Sequence, residues 1–292
     1  MRGVILKGIG GFYYVKTDDG RIVESKAKGI FRKEKITPLV GDWVEITETE
    51  EQSAVIDKIM PRKNEWLRPP LANLDQLLLV ISSCDPMPNF LNIDKLITAA
   101  EFKEIEPLLV VTKIDLAKGE RIAEIYRNAG FHTVLLSNLQ KNAGKELLAC
   151  LEGKVTALTG NSGVGKSSLL NNLFGTLNLA TSEISRKLGR GRHTTRHVEL
   201  FPVKGGYVAD TPGFSTIELG KYALIRKEEL QYCFREFEPY LGRCKFHDCS
   251  HTGEVGCIVG QAVEGGLIEP SRYQSYCQLY EEAKQIKEWE NK

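Results

Sequence analysis

Gly160-Asn161-Ser162-Gly163-Val164-Gly165-Lys166-Ser167 is the stretch that decides the fold of this chain. It fits the pattern G-x-x-x-x-G-K-[ST] of a phosphate-binding loop, whose glycines let successive N–H groups point at one anion. An apolar run before it, Val155–Thr159, predicts a buried strand, and leucines at helical spacing after it predict a helix. Such a helix presents its positive end to the phosphates. A chance match in a Gly/Ser turn is the alternative, and the flanking strand and helix argue against it.

The loop pattern assigns a role to each part of the phosphate site. We expect the Lys166 ammonium to reach the β- and γ-phosphates and the Ser167 hydroxyl to bind Mg²⁺. The whole run then lines the phosphates, that is Gly160, Asn161, Ser162, Gly163, Val164, Gly165, Lys166, Ser167 and Ser168.

Composition bounds the class of protein. The chain has 292 residues and a net charge of +1, which allows two or three domains but no global basic field for nucleic acid. No apolar run approaches the length of a membrane span and no signal peptide opens the sequence, so we expect a cytoplasmic protein without a membrane partner. Three of the seven cysteines fall within 14 residues beside a histidine, which favours a metal site over disulfides.

Residues 1–67 are predicted to form a small OB-like or SH3-like β-barrel. Glycine and aspartate turns separate five β-prone runs, namely Val4–Leu6, Phe12–Val15, Ile22–Val23, Trp43–Ile46 and Ala54–Ile56. Between the third and fourth runs lie Lys26, Lys28, Arg32, Lys33 and Lys35, with Phe31 interleaved. This face suits an RNA backbone, and an ordinary solvated barrel edge is the alternative.

Residues 68–218 alternate buried strands with helices, which predicts a mostly parallel sheet covered on both faces. Arg68-Pro69-Pro70 is interpreted as a linker. Ligands of such sheets bind at the carboxyl ends of the strands. Three polar tails occupy such ends, Thr112–Asp115, Ser137 and the phosphate loop, so we expect one site to gather them.

The chain after the loop helix is predicted to contain a mobile basic segment and a hairpin. Residues 186–196 carry five basic residues and no apolar period. The hairpin, with a turn at 204–206, ends in Asp210-Thr211-Pro212-Gly213. An acid at this place usually holds Mg²⁺, often through water, and a glycine three residues later can offer its N–H to a γ-phosphate.

Residues 219–292 are predicted to be a helical, zinc-binding region. Helices are expected over 226–237 and 271–289, the second with core spacing. Three thiolates and one imidazole make a closed tetrahedral set for one structural Zn²⁺, here Cys244, Cys249, His251 and Cys257. His247 is an alternative fourth ligand, and buried free cysteines are the alternative to a metal.

With these motifs in place, the chain resembles the circularly permuted RsgA (YjeQ/YloQ) GTPases that act on the small ribosomal subunit. The resemblance covers barrel, GTPase domain and zinc-bearing tail. Ordinary GTPases place the phosphate loop first, whereas here Thr112-Lys113-Ile114-Asp115 and Ser137-Asn138 precede it. Gly191-Arg192-His193-Thr194-Thr195-Arg196 adds to the match.

The resemblance implies GTP and GDP as ligands and assigns further roles. Asp115 accepts hydrogen bonds from guanine, Lys113 lies over the base, and Ser137 sits in the loop that meets the guanine O6. Thr195 is the switch threonine for Mg²⁺ and γ-phosphate, with Thr194 as the fallback, and Asp210 and Gly213 form the second switch. Two positions depart from the usual pattern, since Thr112 replaces Asn and Asn138 replaces Ala.

The implied activity is GTP hydrolysis at a late checkpoint of small-subunit maturation, by a monomer that contacts 16S rRNA and whose turnover the subunit stimulates. Phe214 stands where Ras-like proteins carry the water-orienting Gln, so intrinsic hydrolysis should be slow. His193 is our candidate for the missing group, and an RNA-contacting histidine is the alternative. The competing functions are a metabolic ATPase or kinase, and a nucleotide-gated RNA-binding scaffold with incidental hydrolysis.

Overall fold

The computed structural model describes residues 1–49, 53–137, 144–176, 198–211 and 219–285. All five predicted strands of the N-terminal region are present and form a closed barrel in the order β1-β2-β3-β5-β4. The strands are β1 (Arg2–Ile9), β2 (Phe12–Thr17), β3 (Ile22–Ala27), β4 (Trp43–Glu48) and β5 (Ala54–Ile59). Their alternating apolar residues fill the barrel, because successive side chains of a strand point to opposite faces.

A short helix, α1 (Gly29–Lys33), changes the interpretation of the basic face. Phe31 is 6% exposed and belongs to the barrel core, so it does not stand between the cations as an aromatic contact. Lys26, Lys28, Arg32, Lys33 and Lys35 are exposed.

The interpretation of residues 68–70 as a linker was wrong. The chain instead turns there between β6 (Glu65–Leu67) and β7 (Pro70–Ala72), which pair as an antiparallel hairpin. Trp66 of this hairpin is 1% exposed, and its ring lies 5.3 Å from that of Tyr222. The hairpin therefore packs against the C-terminal region.

The central region is a six-stranded sheet in the order β10-β9-β8-β11-β13-β12. Only β12 runs antiparallel within it. Every residue of β8 is buried, as expected for a strand covered on both faces. The strands are β8 (Gln76–Ser82), β9 (Glu106–Thr112), β10 (His132–Leu135), β11 (Val155–Thr159), β12 (Leu200–Val203) and β13 (Gly206–Asp210), and the helices are α2 (Phe90–Phe102), α3 (Glu120–Asn128), α4 (Lys145–Leu151) and α5 (Lys166–Thr176). The predicted alternation of strands and helices is confirmed.

The C-terminal region contains α6 (Lys227–Leu230), α7 (Ile258–Glu264) and α8 (Pro270–Lys284). The helix predicted over 226–237 is broken into α6 and two 3₁₀ segments, because Phe234 adopts an extended conformation. That break brings the rings of Phe234 and Phe237 to 5.2 and 4.8 Å from the ring of Tyr276 on α8. None of the helices in the described part of the chain combines the length and apolar character that a bilayer crossing requires.

Candidate nucleotide and metal sites

The phosphate loop joins the end of β11 to the start of α5 in a conformation that glycine makes possible. Gly160 has φ +150°, and a Cβ there would collide with the Val80 carbonyl oxygen. Gly163 and Gly165 also have positive φ, +81° and +98°. Glycine adopts such conformations without steric cost, so the backbone can curl into a cradle for an anion.

Two half-buried side chains of opposite charge lie at this cradle. The Lys166 ammonium donates hydrogen bonds to the carbonyls of Gly160 and Asn161, at 2.8 and 2.7 Å. Asp210 ends β13, directly beside Leu158 of β11. Burial lowers the pKa of Lys166 and raises the pKa of Asp210, and the attraction between the two opposes both shifts. A cationic and an anionic side chain thus lie together in a partly desolvated place.

Thr112 connects the second polar tail to the phosphate loop. It is fully buried, and its hydroxyl lies 2.6 Å from the carbonyl oxygen of Val164 and 3.1 Å from that of Ile81. The hydroxyl is thus engaged with the backbone of the phosphate loop and of β8. The replacement of the usual Asn by Thr112 therefore changes the contacts of the phosphate loop.

Asp115 and Ser137 meet at the same edge of the sheet. The Ser137 hydroxyl donates to a carboxylate oxygen of Asp115 at 2.6 Å. Lys113 has φ +59°, and its carbonyl accepts a hydrogen bond from Ser83 at 2.9 Å. The three tails expected to gather at one site are therefore connected by direct hydrogen bonds. His193, Thr194, Thr195 and Gly213 lie outside the described residues, as does Asn138.

The sequence analysis missed a fourth polar tail, which begins at the end of β8. The Ser82 hydroxyl and the Lys113 ammonium both donate to the carbonyl of Asp85. Pro86, Met87 and Gly160 line a small adjoining cleft. The signal was visible in the sequence, because Ser82-Ser83 follows a buried parallel strand just as the other tails do.

The predicted zinc ligands come together in the C-terminal region. The ligand atoms of Cys244, Cys249, His251 and Cys257 all lie within 4.8 Å of one another. The Nδ1 atom of His251 is 3.5 Å from the sulfurs of both Cys244 and Cys257. Among the described residues this is the group of such side chains that fits a metal ion, and it does not include His247.

Neighbouring groups form hydrogen bonds that orient the four candidate ligands toward a common metal ion. His251 Nε2 lies 3.0 Å from Gln231 Oε1, so an Nε2–H donates there and leaves Nδ1 free to coordinate. Backbone N–H groups of Ile258 and Gly260 donate to the sulfurs of Cys244 and Cys257, each at 3.3 Å. Three such sulfurs and an imidazole suit a structural Zn²⁺, which binds thiolates.

Comparisons with known proteins agree with this geometry. The family model described as RsgA GTPase matches residues 59–220, and that of the RsgA N-terminal domain matches residues 2–56. A small ribosomal subunit biogenesis GTPase RsgA from Caldanaerobacter subterraneus is 44% identical, over 98% of this chain and 96% of its own. Its Bacillus subtilis counterpart is 41% identical, over 98% of each chain.

Solved structures match over the same extent. The crystal structure of YloQ, a circularly permuted GTPase, has a TM-score of 0.80 and 35% identity, over 98% of this chain and 96% of that one. YjeQ from Thermotoga maritima has a TM-score of 0.82 and 34% identity, over 98% and 99% of the two chains.

Proposed function

This chain belongs to the RsgA GTPase family, and we propose that it couples GTP hydrolysis to a late checkpoint in maturation of the small ribosomal subunit. It is a GTPase of small-subunit biogenesis, as its family and relatives are. The observation that carries the proposal is the set of direct contacts between the phosphate loop and the polar tails at one edge of the sheet. Hydrogen bonds of Thr112 to Val164 and of Ser137 to Asp115 join segments that are far apart and permuted along the chain.

The residues gathered at this edge of the sheet supply what GTP recognition requires. The proposal places the guanine against Asp115, which accepts from ring N–H groups that adenine lacks, with Lys113 over the base. The phosphate loop amides and Lys166 neutralise the phosphates. Ser167, Thr195 and Asp210 would hold Mg²⁺, which supplies charge stabilisation when bound, and Gly213 would offer its N–H to the γ-phosphate.

His193 is the proposed group that orients the attacking water. Phe214 has no hydrogen-bonding group for this task, and His193 precedes the switch threonine Thr195 by two residues. A His193→Ala variant should lose subunit-stimulated turnover while GDP affinity is unchanged. Full stimulated turnover in that variant would show that another residue directs the water.

The partner we propose is the small subunit with its 16S rRNA, met in the cytoplasm by a monomer. The exposed lysines and arginine between Lys26 and Lys35 support an RNA contact on the barrel.

A structural Zn²⁺ on Cys244, Cys249, His251 and Cys257 would hold the C-terminal region together. Under this proposal, permutation would put both ends of the GTPase domain near the second switch, so that a change there would move both flanking regions.

GTP turnover with and without purified small subunits tests the proposal. We expect turnover to rise by one or more orders of magnitude with small subunits and not with large subunits. Lys166→Ala should abolish turnover in both conditions. Equal rates with and without small subunits would contradict the proposal, and tighter binding of ADP than GDP would favour an ATPase or kinase.

Slow intrinsic hydrolysis, which Phe214 implies, also suits the scaffold alternative. Under that alternative hydrolysis is incidental to release. A Thr195→Ala variant that binds GTP without hydrolysing it would then leave small subunits at the normal rate. Retention of that variant on the subunits supports the checkpoint.

A further inference from the structure

The polar tail after β8 holds the segment that carries Asp115. We name residues 82–85 the β8 tail. The Ser83 N–H donates to the Thr112 carbonyl at 3.0 Å, so the contact between β8 and β9 continues beyond their last paired residues. The Ser83 hydroxyl donates to the Lys113 carbonyl at 2.9 Å, and Ser83 is 8% exposed. Ser83 thus holds two consecutive residues of that segment.

The Lys113 carbonyl closes the turn that contains Asp115, which we name the 113–117 turn. The N–H groups of Leu116 and Ala117 donate to this oxygen at 2.9 and 3.3 Å. Lys113 has φ +59°, a left-handed conformation that costs free energy in any residue other than glycine and persists only where contacts enforce it. The Ser83 hydroxyl is a donor to the same oxygen from outside the turn, and it therefore ties the turn to the end of β8.

The β8 tail also holds the side chain of Lys113. Its ammonium donates to the Asp85 carbonyl, which accepts the Ser82 hydroxyl as well, at 2.9 Å. The N–H of Cys84 donates to that same hydroxyl at 3.3 Å. Both ends of Lys113, its carbonyl and its ammonium, are therefore attached to one short segment.

Asp115 depends on this support because it is exposed and few contacts surround it. The Ser137 hydroxyl donates to one of its carboxylate oxygens at 2.6 Å and so orients the carboxylate. The position of the Asp115 backbone is left to the 113–117 turn. Hydrogen bonds weaken steeply as distance and angle depart from the optimum, so a small displacement of this turn would weaken any contact between Asp115 and a base.

We propose that Ser83 is a positioning residue for guanine recognition, which holds the 113–117 turn so that Asp115 meets the edge of the base. The inference rests on the proposed function, because it takes Asp115 as the carboxylate that reads guanine. Ser83 lies outside the phosphate loop and outside the Thr112–Asp115 segment. It acts through the Lys113 carbonyl and does not itself contact the nucleotide.

A comparison of GDP with inosine diphosphate (IDP) by titration calorimetry tests the inference. IDP lacks the 2-amino group of guanine, so the ratio of the two affinities reports the contact of that group with Asp115. The unmodified protein should bind GDP about tenfold or more tightly than IDP, as expected for one hydrogen bond to a charged group. Ser83→Ala should bind GDP about tenfold more weakly and prefer it over IDP by about threefold or less.

The ratio distinguishes positioning from a purely structural role of Ser83. A general loosening of the fold would weaken GDP and IDP by the same factor and leave the ratio at the value of the unmodified protein. With GTP as the substrate, Ser83→Ala should raise KM and keep the kcat of the unmodified protein, because Ser83 does not reach the phosphates. An unchanged ratio in Ser83→Ala overturns the inference.

Matched controls come from the same chain. Ser83→Thr keeps the hydroxyl and should retain the preference for GDP over IDP. Ser25→Ala removes another buried serine hydroxyl, which donates to the Val23 carbonyl in the barrel, and should leave the ratio unchanged. Thermal unfolding establishes that each variant is folded at the temperature of the titration. A loss of preference in Ser25→Ala as large as that in Ser83→Ala would also overturn the inference.

The unmodified protein separates failure of this inference from failure of the proposed function. If it binds ADP as tightly as GDP, the guanine site is absent and both fail. If it prefers GDP over ADP but not over IDP, Asp115 does not read the 2-amino group and the inference alone fails. The inference also fails alone if the unmodified protein prefers GDP over both and Ser83→Ala keeps the full preference.

Discussion

The Thr112 hydroxyl connects the end of β9 to the phosphate loop. Replacing it with Val keeps the shape but removes the donor that serves the Val164 and Ile81 carbonyls. An unsatisfied buried acceptor costs about 1–3 kcal/mol, so Thr112→Val should lower the free energy of unfolding by that amount. GDP affinity should fall about tenfold as the loop loosens. Denaturant unfolding and a fluorescent-GDP titration measure the two effects.

Thr112→Ser is the matched control for this prediction. It keeps the hydroxyl and loses only a methyl group, so most of the GDP affinity should remain. If Val and Ser variants bind GDP equally well, the contact with Val164 does not shape the nucleotide site.

We expect the Asp210 carboxylate to destabilise the folded protein at neutral pH and to be needed for Mg²⁺-dependent GTP binding. Burial raises the pKa of its carboxyl above the unfolded value despite the attraction of Lys166. The charged carboxylate therefore costs stability at neutral pH, and this cost is relieved as the pH falls through the raised pKa. Asp210→Asn should melt at a higher temperature than the unmodified protein at neutral pH, and the difference should shrink on acidification. Its Mg²⁺-dependent GTP binding should be weaker.

Thermal unfolding of the nucleotide-free protein over a pH series checks this sign. A variant that is less stable at neutral pH would mean that the Lys166 attraction outweighs the burial of the carboxylate. Such a result would reverse the stated direction for Asp210.

Residue identity was easy to interpret where a motif fixes the chemistry and hard where tertiary contacts do. The phosphate loop was predictable because glycine spacing and Lys166 express the constraint locally. The partner of Thr112 was not, because Val164 is 52 residues away along the chain. Phe31 was misread for the same reason, since a cationic neighbourhood in sequence does not show which side chain turns into the barrel core.

At the scale of elements, the segment 244–264 depends on its four clustered ligands. Cys257 caps α7 by accepting from the Gly260 N–H, so the ligand set and the helix share one backbone arrangement. His251→Ala should therefore lose the single zinc equivalent and lower the melting temperature, since structural zinc contributes folding energy directly. His247→Ala, an exposed neighbour outside the cluster, should keep both.

Metal analysis of the purified variants, followed by thermal unfolding, measures this prediction. Gln231→Ala tests the orienting contact to His251 and should weaken zinc affinity about 10–100-fold in a chelator competition. Zinc loss in His247→Ala with retention in His251→Ala would show that the ligand set is wrong.

Strands and helices with a clear pattern of apolar residues were predictable from the sequence, whereas elements whose conformation depends on tertiary packing were not. A continuous apolar run such as that of β8 indicates a buried strand, because both faces of a parallel sheet are covered. The β6–β7 hairpin escaped because a Pro-Pro pair is also typical of linkers, and its stability comes from burying Trp66 against Tyr222. The helix predicted over 226–237 is interrupted because Phe234 and Phe237 both reach the same aromatic core.

At the scale of the whole molecule, direct side-chain contacts link the barrel and the C-terminal region to the central GTPase domain. Lys16 of β2 contacts the Tyr207 ring of β13 and so connects the barrel to the sheet. Arg272 of α8 connects that helix to α2. Arg272 is fully buried, and its guanidinium donates to Asp94 of α2 and to Glu236, both at 2.7 Å. Its charge also lies 4.6 Å from the Phe234 ring. Helical spacing predicted α8 as a packing helix, but it gave no sign of a buried cation at its centre.

Arg272→Met should cost about 3–5 kcal/mol of unfolding free energy, because it leaves two buried carboxylates without their partner. The exposed pair of Lys284 with Glu281 on the same helix is the control, and Lys284→Ala should leave the free energy of unfolding nearly unchanged. Since Arg272 fixes α8 on α2, the same variant should lose more small-subunit stimulation than intrinsic GTP turnover. Denaturant unfolding and paired turnover assays measure both effects. Equal losses in the two rates would mean that Arg272 supports stability alone and does not transmit the subunit's effect to the nucleotide site.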